Sequence, residues 1–393
     1  MFYLIIFVIL TILTALNIIR ADKSGNRILI GIAALILILV AGLRYETGGD
    51  WPNYKILFTR IPTIQHLDLI HNDYHRYCEI GFCILCSLIK TLGGDIQTLF
   101  FVICAVNITF ITCALCRYTK YPVLGLLCYY GILYFSLEMI YIRQAMAVAI
   151  CFWAIHYIID RCPIQYIIWI LIACSLHRMA IVMLLLYPLI RFKIPTWAYA
   201  AVVGIGAIIM LANVTWISNI FLAVTSWIGG GFEEKARIYT EAGMFSVNRK
   251  LSVGFILNLA IMAVILFQKK TLDELKYGTI HLNMFVLSLM LYYYCYELVE
   301  VSNRFRLFFL ISVIAILPML AECMQLRSKK IVATIVIILY AFSFSQGIFL
   351  ENPQAAAYNP YQNYIVYKIQ HKASTGKVRL EQSNRAFRLG RRK

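Results

Sequence analysis

The stretch GLRYETGGDWPNY, residues 42–54, places charged and aromatic side chains at the end of a long apolar segment. Arg44 carries a planar cation that binds phosphate oxygens in bidentate fashion. Asp50 follows two glycines, whose backbone can come close to a ligand and aim the carboxylate. Tyr54 adds a flat face of the kind on which sugars stack. The stretch therefore predicts an anion site beside a general base, or alternatively a glycine turn capped by Asp50.

Other ionisable side chains stand in or beside apolar runs, where a charge is costly and so indicates function. Arg143 opens the run IRQAMAVAICFW with no basic neighbours, which favours a functional role over a membrane anchor. Glu79 precedes a short apolar segment, and its pKa would rise there unless an arginine paired with it. His177, next to Arg178, interrupts another run and could act as a base or a phosphate donor. The alternative for His177 is a hydrogen-bonded packing residue.

Two more arginines, Arg304 and Arg306, lie in the stretch VEVSNRFRLFF. Glu297 and Glu300 precede them by one or two helical turns. Two interpretations stay open, an anion site and an ion-pair network.

The sequence does not predict a metal or other cofactor. His71 and His75 have the i, i+4 spacing of metal ligands on a helix, but no H-E-x-x-H motif is present, and the stretch also fits an amphipathic lid. Most of the twelve cysteines lie in apolar runs, where a thiol acts as a small hydrophobe.

The elements that must position these side chains are membrane helices. The chain has 393 residues, of which 61% are hydrophobic and 14% charged, and its mean hydropathy is +0.76. Apolar runs of ~20 residues recur along its whole length. We therefore predict an all-α polytopic membrane protein with about twelve transmembrane helices. The predicted spans are 2–19, 28–43, 97–116, 122–139, 141–159, 164–177, 179–190, 197–212, 252–267, 280–298, 306–322 and 331–349.

Loop charge sets the orientation. Short basic loops should share the cytoplasmic side, and they do so if residues 79–92 are re-entrant or packed on the surface. The longer loops, 44–79 and 213–250, then lie on the outer face. The net charge of +17 is explained by these loops rather than by nucleic acid. We expect one membrane domain, 1–370, followed by a basic, flexible tail, 371–393.

The tail is difficult to place. It should be cytoplasmic by its charge, yet an even number of crossings puts it outside. An additional crossing, a surface segment at 361–369 or a non-native tail would each resolve the conflict.

The motifs resemble a known family in sequence and in order. Arg44, Gly48, Asp50 and Tyr54 match the R-x-x-x-G-x-D-x-x-x-Y signature of EpsG-family proteins, the Wzy-like polymerases of bacterial polysaccharides. The stretches YCEIGFCILCSLIKTLGGDIQTLFF, IRQAMAVAI, IACSLHRMAIVMLLLYPL, NRFRLFF and YNPYQNYI are similar to later family motifs. The sequence departs from the family after His177, where it has Arg178-Met179-Ala180.

The resemblance implies a GT-C-like glycosyltransferase of the bacterial inner membrane. Such a protein joins oligosaccharide repeat units carried on undecaprenyl diphosphate, facing the periplasm, with a chain-length regulator and a flippase as expected partners. It implies neither nucleotide sugar nor metal. The matched positions add Glu79, Arg143, Gln144 and His177 to the site. We expect Asp50, Glu79 or His177 to be catalytic, and Arg44, Tyr54, Arg143, Gln144, Arg304 and Arg306 to bind substrate or diphosphate.

Three other classes of protein are alternatives to a polymerase. A transporter or flippase of lipid-linked oligosaccharide would share the apolar length and the cationic cavity, but should show internal repeats. A ligase or acyltransferase would use His177 as its base. A structural scaffold explains the outer arginines poorly.

Overall fold

A computed structural model describes residues 1–19, 23–66, 78–185, 187, 191–218, 220 and 252–390. These residues are almost entirely helical, and the β pairing among them is an isolated bridge between Arg44 and Asn363. The α-helices are α1 (Phe2–Ile19), α2 (Lys23–Gly42), α3 (Trp51–Arg60), α4 (Ile80–Thr91), α5 (Ile96–Tyr118), α6 (Pro122–Ile132), α7 (Tyr134–Leu137), α8 (Ile142–Ile159), α9 (Pro163–Leu176), α10 (Val182–Leu185), α11 (Thr196–Leu211), α12 (Val253–Phe267), α13 (Lys269–Leu272), α14 (Gly278–Tyr294), α15 (Val299–Leu310), α16 (Val313–Cys323), α17 (Arg327–Phe349), α18 (Tyr364–Ile369) and α19 (Gly376–Gly390). Short 3₁₀ helices cover Arg178–Ile181 and Pro353–Ala355.

Within the described residues, four helices are long and apolar enough to cross a membrane, namely α1, α5, α8 and α17. The count rises to five if α15 and α16 form one span. The all-α membrane class is confirmed, while the number of twelve spans and the GT-C-like architecture stay predictions. Helix α4 has 12 residues and extends about 18 Å, which is less than the ~30 Å of a hydrocarbon core.

The chain forms two compact units, residues 1–184 with 317–393 (unit 1) and residues 185–316 (unit 2). In unit 1, α8 packs against α5 and α9, and α6 packs against α1 and α17. Small residues such as Ala145, Ala147 and Ala149 are buried along α8, which allows neighbouring helices to approach closely. In unit 2, α14 packs against α11 and α15.

The segment beyond residue 370 belongs to unit 1. Helix α19 covers most of it, and Arg379 and Ser383 on this helix are buried. The expected domain boundary at 370 stays a prediction.

Candidate functional site

Five of the sequence-predicted or neighbouring polar residues lie at helix ends in unit 1. Asp50 precedes α3, Glu79 precedes α4, and Arg143 is the second residue of α8. His177 follows α9, and Arg178 begins the next 3₁₀ helix. A charged side chain is costly inside an apolar run, which agrees with the position of these residues at helix ends rather than within the helices.

Glu79 connects three of these helix ends. Its Oε2 accepts a hydrogen bond from Nη1 of Arg143 over 2.8 Å. Its Oε1 accepts one from the backbone N–H of Arg178 over 3.3 Å and lies 3.6 Å from that residue's Nε. His177 is buried and also interacts electrostatically with this carboxylate. The structure therefore brings Glu79, Arg143 and His177 together, as one local cluster in unit 1.

The charge state of Glu79 follows from these contacts. Burial acts to raise the pKa of its carboxyl, but the guanidinium of Arg143 and hydrogen bonds to the ionised form outweigh burial. The net effect is a pKa below the ordinary value of 4.5. Glu79 is thus ionised at neutral pH and holds Arg143 by charge.

A cavity of about 270 Å³ lies between α3 and the start of α8. Asp50, Tyr54, Arg60 and Arg143 contribute its polar lining, together with Asn53. Arg143 interacts with the phenol of Tyr54, whose pKa burial raises to about 12, so that Tyr54 stays protonated. We call this space the α3–α8 cavity; it holds one carboxylate and two guanidinium groups.

Asp50 has the geometry of a residue that is free to act in this cavity. It occupies the N-cap position of α3 but makes no side-chain cap hydrogen bond. Its Oδ1 accepts a hydrogen bond from Nδ2 of Asn53 over 3.3 Å. A turn capped by Asp50 is therefore not what the structure shows, since this carboxylate makes no cap hydrogen bond and lines the α3–α8 cavity instead.

Gly48 explains how the chain reaches Asp50. Its φ of +98° lies in the region that glycine adopts without strain. A Cβ at this position would stand 2.2 Å from the carbonyl oxygen of Met139. The backbone N–H of Gly48 donates to the carbonyl of Ala357 over 3.2 Å. Only glycine fits this turn, and the turn determines the direction in which the chain enters α3.

Arg44 is 1% exposed and is not among the residues that line the α3–α8 cavity. Its Nη1 donates to the carbonyl of Ala41 over 2.7 Å, and its guanidinium lies 4.5 Å from the ring centre of Phe100. The buried carboxylate of Glu138 acts on it electrostatically. Gln144, which follows Arg143 on α8, is likewise buried. Direct substrate binding by Arg44 and Gln144 stays a prediction.

Arg304 and Arg306 belong to unit 2. Arg304 Nε lies 4.0 Å from Oε2 of Glu300, one turn earlier on α15. The guanidinium of Arg306 lies over the ring of Tyr292 at 4.5 Å. Glu297 accepts hydrogen bonds from the backbone N–H groups of residues 216–218, at 2.8–3.3 Å. Ion pairing and phosphate binding both stay open for these arginines. His71 and His75 lie outside the described residues.

Glu138 is a polar residue in the core of unit 1 that was not singled out from the sequence. It is 1% exposed, and it accepts hydrogen bonds from the hydroxyl of Tyr129 over 2.6 Å and from Nδ2 of Asn107 over 3.1 Å. The position of Glu138 as a single glutamate between two apolar runs, in the stretch SLEMIYIRQ, could have identified it as a functional candidate.

Arg379 on α19 is the second residue that sequence reasoning missed. It is 3% exposed, and its Nη2 donates to the carbonyls of Tyr45 and Glu46, each over 3.2 Å. Its Nη1 donates to the carbonyl of Pro360 over 3.0 Å. Arg379 therefore holds the backbone just before Gly48. Within a segment of many basic residues, nothing in the sequence distinguishes it.

The model of the EpsG family matches residues 27–363, a range that includes α3, Glu79, Arg143 and His177, all of unit 2 and most of unit 1. The chain belongs to the EpsG family, the family of Wzy-like polysaccharide polymerases. No curated protein and no solved structure matches the chain significantly.

Proposed function

We propose that the protein joins oligosaccharide repeat units carried on undecaprenyl diphosphate, at the outer, periplasmic face of the bacterial inner membrane. The observation that carries this proposal is the α3–α8 cavity, whose lining combines the carboxylate of Asp50 with the guanidinium groups of Arg60 and Arg143. Membership in the EpsG family supports polymer synthesis, and the long apolar helices provide walls for a polyprenyl tail.

In the proposed reaction, Arg143 binds the diphosphate of the donor lipid. Negative charge develops on the diphosphate oxygen as the glycosidic bond breaks, and a cation fixed beside it stabilises that transition state. Arg143 also stands in the first turn of α8, where unpaired backbone N–H groups favour an anion. The proposal assigns the positive charge to arginines rather than to a metal ion.

Asp50 is the proposed general base. It accepts the proton of the acceptor hydroxyl, whose oxygen then attacks the anomeric carbon of the donor, while the lipid diphosphate leaves with the electron pair. Glu79 is already ionised and paired with Arg143, so we assign it the role of positioning the guanidinium. His177 completes this positioning through its interaction with Glu79. A chain-length regulator and a flippase are the proposed partners.

A reconstituted reaction tests the proposal. Purified protein is incubated with lipid-linked repeat units extracted from the cells that make it, and the products are separated on a gel. We expect a ladder of products that Arg143→Ala abolishes. Unchanged substrate that crosses the bilayer in sealed vesicles would instead identify a transporter.

A further inference from the structure

A second cavity, of about 170 Å³, lies on the other side of α3. Its aromatic lining comes from Tyr45, Trp51 and Tyr364. The rings of Tyr45 and Tyr364 meet edge to face, with centroids 5.4 Å apart. These three residues come from the loop before α3, from α3 and from α18, so the space is built by distant parts of unit 1. We call it the Trp51 cavity.

Helical periodicity places the two cavities on different faces of α3. Trp51 and Lys55, spaced i, i+4, line the Trp51 cavity, whereas Asp50, Tyr54 and Leu57 line the α3–α8 cavity. A helix with its side chains is ~10 Å across, so ligands in the two cavities would lie roughly one helix diameter apart. A sugar in the Trp51 cavity would therefore not be the reacting residue.

The polar lining of the Trp51 cavity is balanced in charge. Lys55 Nζ pairs with Oε1 of Glu46 over 3.0 Å. Asp95 Oδ2 accepts a hydrogen bond from the hydroxyl of Tyr364 over 3.0 Å. Lys368 adds a second ammonium group to the lining. Two carboxylates and two ammonium groups leave no net charge for an ionic ligand, but they offer donors and acceptors for hydroxyl groups.

Trp51 adds a further feature. The residue is 3% exposed, and its indole Nε1 has no hydrogen-bond partner among the described residues. A buried donor without an acceptor costs free energy. A hydroxyl oxygen of a bound sugar that reached this N–H would supply the missing acceptor. Lys55 Nζ lies 5.8 Å from the ring centre of Trp51, and Lys368 Nζ lies 5.6 Å from that of Tyr364. Aromatic rings mixed with such hydrogen-bonding groups suit a neutral sugar ring better than an apolar ligand.

We propose that the Trp51 cavity is a binding subsite for a neutral sugar residue of the repeat unit or growing chain, next to the residue that reacts in the α3–α8 cavity. The placement relative to the reaction rests on the proposed function. The subsite holds the sugar chain in register, because a sugar ring bound on one side of α3 determines which sugar residue of the same chain reaches Asp50 on the other side.

Direct binding tests the subsite without any reaction. The full-length protein is labelled with 5-fluorotryptophan, and the Trp51 resonance is assigned by its loss in Trp51→Phe. Neutral methyl pyranosides and a methyl uronide are then added as probes. We expect a saturable shift of the Trp51 signal with at least one neutral pyranoside, roughly tenfold weaker binding in Tyr364→Leu, and no shift with the uronide. A Trp51 signal that responds to none of the neutral probes overturns the subsite.

Kinetics provide the second test. In the polymerisation assay, Tyr364→Leu should raise the KM for the lipid-linked repeat unit roughly tenfold with little change in kcat, because a subsite away from the reacting bond contributes uniform binding. Trp197→Leu, at a 73% exposed tryptophan of unit 2, is the control and should leave KM unchanged. An unchanged KM in Tyr364→Leu contradicts the placement of the subsite beside the reaction.

The two proposals fail separately. Sugar binding at Trp51 without any polymer product rejects the polymerase and keeps the subsite. Polymer product without sugar binding at Trp51 rejects the subsite and keeps the polymerase.

Discussion

Arg143 and Glu79 form an ion pair in which Nη1 of the arginine donates to Oε2 of the glutamate over 2.8 Å. The two residues stand 64 positions apart in the chain, at the beginnings of α8 and α4. Because both side chains are largely shielded from water, the pair fixes the guanidinium at the wall of the α3–α8 cavity, where the proposed donor diphosphate binds.

Removal of Arg143 should show how strongly stability and polymerisation depend on its ion pair with Glu79. Arg143→Gln leaves the carboxylate of Glu79 without its main counter-ion, and we expect a loss of about 3 kcal/mol in the free energy of unfolding, together with loss of polymer. Unfolding in mixed micelles measures the first effect, and product ladders measure the second. In the double variant with Glu79→Gln the destabilisation should be smaller than the sum of the single effects. Additive effects would show that the two side chains are not coupled.

The pH dependence of stability follows from the lowered pKa of Glu79. A group with a depressed folded-state pKa stabilises the protein above its unfolded value of 4.5 and loses that contribution as the pH falls through the folded pKa. Wild-type stability should therefore show no Glu79 transition between pH 5 and 8. In Arg143→Gln burial dominates, so the transition should move upward in pH. Thermal unfolding across pH measures both proteins, and an unmoved transition would mean that Arg143 does not hold the carboxylate ionised.

Asp50→Asn separates chemistry from folding. The side chain makes no helix cap, so the free energy of unfolding should change by less than ~0.5 kcal/mol. If Asp50 is the general base, kcat should fall at least ~100-fold. Asp160→Asn, which breaks the exposed pair with Arg117 on the opposite end of α8, serves as the matched control and should keep its activity. Normal polymerisation by Asp50→Asn would exclude the role of base.

Gly48 and Gly49 are adjacent, so an alanine substitution at each provides a matched test of the turn before Asp50. Gly48→Ala places a Cβ against the carbonyl of Met139 at a left-handed φ, and we expect a loss of ~3 kcal/mol. Gly49→Ala meets no atom within 4 Å, and should change stability by less than ~0.5 kcal/mol. Comparison of the two unfolding transitions provides the measurement. Equal effects of both substitutions would contradict the described turn.

Arg379→Met should loosen the loop before Asp50, because several backbone and side-chain acceptors lose their donor. We expect ~3 kcal/mol of destabilisation and lower polymer yield. Arg388→Met, at an exposed arginine of the same helix, is the control and should behave like the wild type. If the two variants unfold at the same temperature, Arg379 does not hold the loop.

The apolar runs made most helices predictable, since helices such as α5, α8 and α17 follow directly from stretches that only a helix can carry through a membrane. The same logic identified Glu79 and Arg143, whose charges interrupt or flank such stretches. The ion pair between Glu79 and an arginine was one of two predicted outcomes, because a desolvated carboxylate is either protonated or paired with a cation.

Residues whose role depends on a distant partner were not predictable. Arg44 looks like a phosphate ligand by type and spacing, yet its surroundings are Phe100 and the buried Glu138. Arg379 is one of eight basic residues after position 370, and only the fold selects it to hold Tyr45 and Glu46. Local sequence patterns specify where a helix ends, whereas the partner of each charged side chain depends on tertiary contacts.

The contact between Arg379 and Tyr45 joins positions 334 residues apart. During synthesis at the ribosome, Tyr45 is translated long before Arg379. The loop before Gly48 therefore lacks this clamp until α19 has been translated. A chain cut short before α19 would lack the donor that holds the carbonyls of Tyr45 and Glu46, so its loop before Asp50 would depend on the remaining contacts, such as the hydrogen bond from Gly48 to Ala357.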